Sequence, residues 1–464
     1  MSSFAGLHTA LSGLVAQRYG LDTTGANVAN ANTPGYSRQR VAMDPTNPSS
    51  TGTALFSRWD GPGTGVRVTD LQRVTDELVA ARVRTERSTA QFMDVDRTAW
   101  ARLEVSLGEP GDTGLTSRLS TMWASFQDLG NNPGSEAART QVLQAARGVT
   151  DSLGASAAGV ERAWNDQHSA LKLALDEVNT TSAAVADLNT AIREATAGGQ
   201  APNELLDQRD ALVIRLSELT GGQVRAGELN TVDVFVGGTA VVRGGRATEL
   251  SVGAGGAGDL AAVRAGGAVG VTGIGGSGVD VPGGRIGAVL VGLNSTWPGV
   301  MDSLDAAAVD VATQVNAVHV TGAGLDGVTG RDFFTGTTAA GLTVALTDTD
   351  HVAAAVPGGG VLDATIADRL GAIGQQAGSP DAGWRRFVAD VGAQAQAATR
   401  RSTAQSVVVG DVMAAREAVS GVDIDEELTN MVMFQRAYEG SARMLTAVDQ
   451  ALDTLINRTG LVGR

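Results

Sequence analysis

The side chains best suited to hold a metal or move a proton near neutral pH are four histidines, His8, His168, His319 and His351. They lie far apart in different predicted elements, and none has a His or Glu partner at helical metal-ligand spacing. They read as single packed or solvated residues. Two glycine hexapeptides, Gly253-Ala254-Gly255-Gly256-Ala257-Gly258 and Gly273-Ile274-Gly275-Gly276-Ser277-Gly278, match the spacing of a dinucleotide-binding turn. Two matches are what chance yields in a glycine-dense region. Gly266-Gly267 and Gly283-Gly284 also deny each the helix whose N-terminus would hold a pyrophosphate. There is no phosphate loop ending in Gly-Lys, no Gly-x-Ser-x-Gly elbow and no HExxH. The carboxylates Asp423, Asp425, Glu426 and Glu427 could suggest a cation site, yet capping a helix asks for nothing more, and Asp348 with Asp350 reads as a solvated turn. The expectation is a chain with no catalytic residue, no cofactor and no metal, and therefore not an enzyme.

Composition supports that direction. Thirty-five basic against fifty acidic side chains in 464 residues leave a net charge of −15, which repels nucleic acid and anionic membrane surfaces. Neither is expected as a partner. The absence of cysteine excludes disulfides, thiolate metal sites and thiol nucleophiles, and Lys172 is the sole lysine. No apolar run has the length of a membrane span, and Met1 to Leu14 lacks the basic start and unbroken apolar core of a cleaved signal peptide. If this protein leaves the cell, another route is expected.

With little chemistry to position, the elements themselves become the subject. Near the C-terminus, Ile424, Leu428, Met431, Gln435, Tyr438, Ala442, Leu445, Asp449, Leu452 and Ile456 keep a 4-3 spacing, and Phe434 and Val448 stand one position before the two polar interruptions. This is a coiled-coil seam. Asp423 with Glu426 three residues on should cap the helix, Asp425 and Glu427 suit its positive end, and it should run to Arg458 before Gly460. The rod would be roughly 50 Å long. The other terminus repeats the spacing with Phe4, Leu7, Leu11, Leu14, Arg18, Leu21, Gly25 and Val28, until Pro34-Gly35 sets a tight turn. Either the two helices pair with each other, or each packs on a globular core.

Between them, Val41 to Val68 reads as a loop with a small hairpin around Ala54-Leu55-Phe56 and Gly65-Val66-Arg67-Val68. Helical periodicity resumes at Leu71, Val74 and Leu78, runs to Leu103 and stops before Glu109-Pro110-Gly111. A shorter helix follows from Leu115 to Leu129. Ser135 then opens an unbroken pattern through Val142, Trp164 and Val185 to Ile192, on the order of 90 Å long. Another helix spans Glu204 to Leu219. Residues 221 to 292 hold 22 of the 61 glycines, and Thr231 to Gly238 alternates at period two, so this part is expected to be β-sheet. A helix from Val289 to Val318, a strand-like stretch from Gly322 to Gly360 and helices from Leu362 to Val419 complete the chain. The predicted fold class is α+β multidomain, with N- and C-terminal coiled-coil helices, a long-helix bundle domain and an inserted glycine-rich β domain. The expected division is 1–45 with 425–464 as a terminal helical rod, 46–220 with 286–320 and 363–424 as an elongated helical domain, and 221–285 with 321–362 as a β-rich outer domain.

Particular motifs carry a resemblance. Asn27-Val28-Ala29-Asn30-Ala31-Asn32-Thr33-Pro34-Gly35-Tyr36 and Gly63-Thr64-Gly65-Val66 resemble segments shared by the axial proteins of the bacterial flagellum. Tyr36-Ser37-Arg38-Gln39, Leu206-Asp207-Gln208-Arg209-Asp210, and Ser420-Gly421-Val422 with Asp425-Glu426-Glu427 are similar to the hook-associated protein 1 family of hook-filament junction proteins. So are Val315-Asn316-Ala317-Val318-His319, Phe333-Phe334 and Gln435-Arg436-Ala437-Tyr438. The resemblance covers nearly the whole chain. It implies a structural protein of the flagellum, exported without a cleaved signal peptide through the flagellar secretion apparatus. It also implies binding of the C-terminal helix by an export chaperone and a place between the hook protein and the second hook-filament junction protein. It further implies that the terminal helices form the helical assembly. The assembly residues would be Phe4, Leu7, Leu11, Leu14, Leu21 and Val28 with Ile424, Leu428, Met431, Phe434, Tyr438, Leu445, Val448, Leu452 and Ile456. Motif residues are Asn32, Pro34, Gly35, Tyr36, Asp207, Arg209, Asp210, Gly421 and Gln435. The alternatives are a flagellar hook or distal-rod protein and, from another class, a dinucleotide-dependent enzyme built on the glycine-rich middle.

Overall fold

The computed structural model describes residues 3–46, 65–253 and 256–454, and of residues 3–5 the backbone only. Outside these lie Ala54-Leu55-Phe56 of the expected hairpin, Gly63-Thr64 of the second motif, Ala254-Gly255 of the first glycine hexapeptide, and Ile456, Arg458 and Gly460.

Helix α1 (Ser3–Asn30) stops in the expected turn, where Gly35 has φ +85° and the Tyr36 amide donates to the Thr33 carbonyl at 3.1 Å. Strand β1 (Gln39–Pro45) then pairs antiparallel with β2 (Val66–Arg73), and Val41 lies opposite Leu71. Two expectations are corrected here: Val41 belongs to a strand, and Leu71 is not helical. Asp76 explains the second. Its carboxylate accepts the amides of Leu78 at 2.8 Å and Val79 at 3.3 Å, so helix α2 (Glu77–Leu107) begins only after it. The apparent helical spacing of Leu71, Val74 and Leu78 is coincidental, and Leu78 is exposed.

The body is built on α3 (Leu115–Asn131) and α4 (Glu136–Ala197), the latter opened by Ser135, whose hydroxyl accepts the Ala138 amide. The 62 residues of α4 make a rod of about 90 Å. Val142, Val149, Leu153, Val160, Trp164, Leu171, Val178, Val185 and Ile192 form one fully buried stripe along it. Against this stripe pack α3, α5 (Asn203–Thr220) and, further along, the β part. Strands β3 (Gln223–Ala226), β4 (Val232–Val236), β5 (Thr239–Arg243) and β6 (Arg246–Ala247) form an antiparallel sheet in that order. Its Val234, Val236, Val241 and Val242 are buried, and β5 and β6 lie against α4. Strand β7 (Ser251–Val252), the short helix α6 (Leu260–Arg264), β8 (Val271–Thr272) and β9 (Gly278–Val279) follow, the strands forming a second small sheet. Within the hexapeptide Gly273 to Gly278 a single 3-10 turn, Ile274–Gly276, joins β8 to β9, which begins at Gly278, and no α-helix starts there.

Helix α7 (Gly284–Val291) begins before the predicted Val289 and continues through one π-type turn, Gly292–Thr296, into α8 (Trp297–His319). The stretch Gly322 to Gly360 is largely irregular, which corrects its strand reading; β10 (Phe334–Thr335) and β11 (Thr343–Val344) have two residues each. Side chains of α8 replace the missing ladder partners. Asn316 accepts the amides of Phe333 at 2.8 Å and Phe334 at 2.9 Å and donates to the Phe334 carbonyl at 2.8 Å. Buried His319 accepts the Ala353 amide at Nε2 and bonds the Arg331 carbonyl through Nδ1, which fixes the neutral tautomer with its proton on Nδ1. Helix α9 (Thr365–Gly371) leads to α10 (Pro380–Ser420), which packs along α2, and α11 (Ile424–Asp453) returns along α1.

Candidate assembly interface

The pairing of α1 with α11 is organised by glycine. A Cβ placed on Gly20 would fall 2.7 Å from the Phe434 ring, one on Gly13 3.1 Å from Ser441 Oγ, and one on Gly6 3.5 Å from Val448 Cγ2. The next position seven residues on is Asn27, whose Nδ2 donates to Glu427 Oε2 at 3.1 Å. Gly6, Gly13, Gly20 and Asn27 therefore face Val448, Ser441, Phe434 and Glu427: a heptad on each helix, running in opposite directions. Glycine in a helix interior costs about 1 kcal/mol relative to alanine, and here the missing side chain lets the Phe434 ring lie directly on the α1 backbone.

This seam keeps Met431, Phe434, Tyr438, Leu445, Val448 and Leu452 of the one read along the sequence and departs from it elsewhere. The inward face of α11 carries Glu427, Met431, Phe434, Tyr438, Ser441, Leu445, Val448 and Leu452, all buried or half-buried. Ile424 and Leu428 stay 46% and 47% exposed, and Gln435 is exposed as well. On α1, Leu7, Leu14, Leu21 and Val28 are half-buried; Leu11 is 48% exposed and continues through Val15 and Tyr19 as an open apolar stripe. Counting apolar residues hid a seam half made of glycine, serine and a carboxylate. The signal that reveals it is the seven-residue spacing of Gly6, Gly13 and Gly20.

At its inner end the rod is tied to the body by a polar joint. Asn27 Oδ1 accepts the Tyr36 hydroxyl at 2.8 Å and the Gln39 amide at 3.0 Å, while its Nδ2 also reaches the Gln39 carbonyl at 2.9 Å. Arg38 donates to buried Glu427 at 2.8 Å and grips both oxygens of Glu426 at 2.7 and 3.1 Å, and its amide bonds the Ser420 carbonyl at 2.9 Å. The expected capping box is thus half made. Asp423 accepts the amides of Asp425 and Glu426, but the Glu426 side chain is committed to Arg38. From the body, Asp207 accepts the Ser37 amide at 3.1 Å and Arg73 at 2.7 Å, Arg73 also reaches Asp210 at 3.0 Å, and Asp210 holds Arg209.

Charge and burial act together at this joint. Burial, then the charges of Asp207, Glu427 and Glu204, push the Tyr36 hydroxyl up to about 12, so it remains a donor. Hydrogen bonding to Glu426 raises the Arg38 pKa against the opposing effect of burial. Burial works against the Arg73 charge too, and the carboxylates of Asp210 and Asp207 outweigh it. Gly421 closes α10 just before the joint; a Cβ there would sit 2.4 Å from the Glu417 carbonyl oxygen. Tyr36, Asp207, Arg209, Asp210 and Gly421 are thus brought together with Gly35 in the adjacent turn. Asn32, Pro34 and Gln435 are exposed and take no part. Asn27, Arg38 and Glu427, which stand inside the quoted motifs, and Arg73, which does not, complete the network; no spacing rule pairs them, because the partners lie up to 400 positions apart.

Along the other side of α1 runs a groove of about 1550 Å³, lined by Leu11, Val15, Tyr19, Val66, Val68, Pro202 and Leu206. Of the histidines, His8 lines this groove, His168 stacks on Trp164 at 5.1 Å, His319 is buried and His351 lies 3.8 Å from Asp326. Among the described residues no group of three or more His, Asp or Glu could hold a metal ion, and no helix is long and apolar enough to cross a membrane.

Comparison with known proteins fits this geometry. A family model of the flagellar hook-associated protein FlgK helical domain matches residues 100–334, half of the chain. The C-terminal model of the flagellar basal body rod FlgEFG proteins matches 416–458, which includes α11, and the flagella basal body rod protein model matches 7–36, which includes most of α1. Flagellar hook-associated protein 1 of Bacillus subtilis (strain 168) is 29% identical over an alignment of 513 positions that covers all of both chains. Its counterpart in Escherichia coli (strain K12) is 25% identical over 336 positions, covering 71% of this chain and 59% of that one. Among solved structures, the flagellar hook junction protein FlgK from Burkholderia pseudomallei superposes with a TM-score of 0.65 at 16% identity, over 74% of this chain and all of that one, which shows a shared fold. With the family's helical domain spanning half its length and rod-protein signatures on both helices of its rod, the chain belongs to the flagellar hook-associated protein 1 (FlgK) family, structural components of the hook-filament junction.

Proposed function

We propose that this chain joins hook to filament by helical self-assembly of its terminal helices, and that it has no catalytic activity. The observation that carries the reading is apolar surface left open on an already paired rod: Leu11, Val15 and Tyr19 on α1, and Ile424, Leu428 and Val432 on α11, each 44–54% exposed at four-residue spacing. A two-helix rod that has buried its inner seam and still exposes apolar stripes on both helices is built to bury them against neighbours. The stripes lie on different surfaces, so contact between copies is heterologous and extends as a helix instead of closing as a dimer.

In this reading Phe4 and Ile456 extend the seam, 1–45 and 425–464 form the inner tube, 46–220 with 286–320 and 363–424 the elongated body, and 221–285 with 321–362 the outer part. The hairpin of β1 and β2 crosses the first boundary and, with the joint, holds the rod to the body. The partners are the hook protein on one side and the second junction protein on the other. An export chaperone would cover the C-terminal helix before the secretion apparatus delivers the chain outside the cell. Absence of cysteine favours export as an unfolded chain, since no disulfide has to form or break.

Electron microscopy of a deletion strain tests the reading. Hooks without filaments, restored by the wild-type gene, are the expected result; loss of the hooks themselves would instead make this a hook or distal-rod protein.

A further inference from the structure

The sheet β3-β4-β5-β6 is stabilised from one side only, by its buried valines, and its other face is open. There the ladder sets Arg225 opposite Asp233, Gln223 opposite Phe235, and Arg243 opposite Arg246. The Arg225 guanidinium carbon stands 4.6 Å from the centre of the Phe235 ring and that of Arg243 5.8 Å from it. Arg225 thus turns toward the ring, although Asp233 lies directly across the ladder; Asp233 instead accepts the Gly244 amide at 2.8 Å. Among the described residues, ion pairs form at Arg209, Arg215 and Arg264 on the neighbouring elements, but Arg225, Arg243 and Arg246 have none.

Folding does not ask for this arrangement. Any polar residues would keep the open face soluble, and like charges directly opposite in a ladder are unfavourable. The chain as a whole carries −15, yet here two guanidiniums without ion pairs stand over one aromatic ring, with a third, Arg246, across the ladder from Arg243, against the single carboxylate of Asp233. Residues that break a local rule without serving the fold mark a place where something else is served.

We propose that this face is a contact surface for the acidic exterior of a second copy of the chain, holding the outer β parts of neighbouring subunits side by side. The inference rests on the self-assembly reading above. Guanidiniums receive carboxylates in two-pronged hydrogen bonds, and Phe235 supplies an apolar centre between them. Copies that each carry −15 repel at low salt, and this patch turns one such approach into an attraction. Because patch and acidic surface are different parts of the molecule, the contact is again heterologous and repeats along a polymer.

The test is sedimentation of the full-length chain between about 0.05 and about 0.5 M NaCl, with the abundance of each variant in flagella measured separately. Self-association of the wild-type chain should weaken as salt rises. At low salt the triple change R225E/R243E/R246E should weaken it by about tenfold or more, with an intermediate loss for R225Q/R243Q/R246Q, which guards against misfolding of the first. Wild-type behaviour of both variants overturns the inference, as does a wild-type chain whose association is absent or indifferent to salt. It is overturned too if the arginines are needed for binding heparin but not for self-association, since the partner is then an anionic polymer. A wild-type chain absent from flagella defeats the self-assembly reading itself, which is a different result.

Discussion

The two long helical assemblies of this molecule are packed by opposite rules. Along α4 the apolar stripe from Val142 to Ile192 is sealed, and its large members, Trp164 above all, are fully buried. Along α1 and α11 the inner seam is made of Gly6, Gly13 and Gly20 against Val448, Ser441 and Phe434, while several of the larger apolar side chains remain in water. The difference separates two tasks. The body seals its core with large side chains and exposes apolar ones at scattered positions such as Leu78, Val105 and Leu173, whereas the rod closes with its smallest residues and leaves Leu11, Val15, Ile424 and Leu428 half-exposed at four-residue spacing. One seam per helix suffices for folding, and the open stripes are the surface proposed above for assembly.

The largest expected break in this comparison is in the body. Trp164→Ala removes a fully buried ring and the indole that donates to the Leu293 carbonyl at 3.0 Å. It should cost about 3–5 kcal/mol and leave that carbonyl without its partner. Thermal unfolding would show the loss as a large drop in melting temperature. In the rod, Gly20→Leu drives a side chain into the Phe434 ring and should cost about 1–3 kcal/mol. The loss should be confined to the rod. Hydrogen exchange would show α1 and α11 deprotected and α4 unchanged, and incorporation into flagella would fall. Equal deprotection of α4 would mean that rod and body are one cooperative unit. Even in the wild-type monomer, amides of α1 and α11 should exchange faster than those of α4, because half-buried helices open at lower cost.

The contrast also decides what could be read from the chain alone. Body and caps were legible: Ser135 opens α4, the breaks at Pro110 and Gly198 fall where helices end, and alternation at Thr231 to Val236 marks β4. These are local signals, each fixed by a few neighbouring residues. The apolar pattern placed α11 correctly and found Met431, Phe434, Tyr438, Ala442, Leu445, Val448 and Leu452 of its half-buried face, but it also counted Ile424 and Leu428, which are exposed, and a 4-3 count cannot register that Gly20 makes room for Phe434. Nor could it find the joint. Asn27, Arg38 and Glu427 are ordinary surface residue types whose meaning arises only when the ends of the chain meet. The loop from Gly322 to Gly360 misled for a related reason: its backbone is satisfied by Asn316 and His319 of α8, and a segment supplied from a helix need not form the ladder its composition suggests.

The joint is where rod and body meet, and breaking it should sharpen the comparison. Glu427→Gln removes the buried charge and leaves one accepting oxygen for two donors, Arg38 Nε and Asn27 Nδ2, so that the new amide nitrogen faces one of them, at an expected cost of about 1–3 kcal/mol. Spin labels on the exposed faces of α11 and α4 would read the effect directly. The distribution of distances between them should broaden while the body's melting temperature stays within about 1 °C, a shift too small to reflect loss of body packing. An unchanged distribution would show that the rod's direction is set by the hairpin alone. The open stripe is tested by the pair Leu11→Asp and Val15→Asp, which should leave monomer stability within about 0.5 kcal/mol, as expected for exposed positions, yet exclude the chain from flagella. Normal incorporation of that double variant would remove the stripe from the assembly surface.

The smallest expected effect is spectroscopic and reports on the joint without disturbing it. Of the three tyrosines, Tyr19 is 54% exposed, and Tyr36 is held by Asn27 where burial, and then the charges of Asp207, Glu427 and Glu204, push its hydroxyl up to about 12 from 10.0. A raised pKa in an acidic group means that folding favours the protonated form. The corresponding stability is fully present below the unfolded value near 10 and is lost as pH climbs from there toward 12. Absorbance of tyrosinate during alkaline titration should therefore contain a late-rising component from Tyr36, and Tyr36→Phe should delete that component. If α11 is undocked, as in the Gly20→Leu variant, Glu427 leaves and Asn27 loses its orientation, so the late component should move toward 10. A late component that survives undocking of α11 would place the cause in Asp207 and burial, and would make the Tyr36 contact a property of the body and not of the meeting of the two termini.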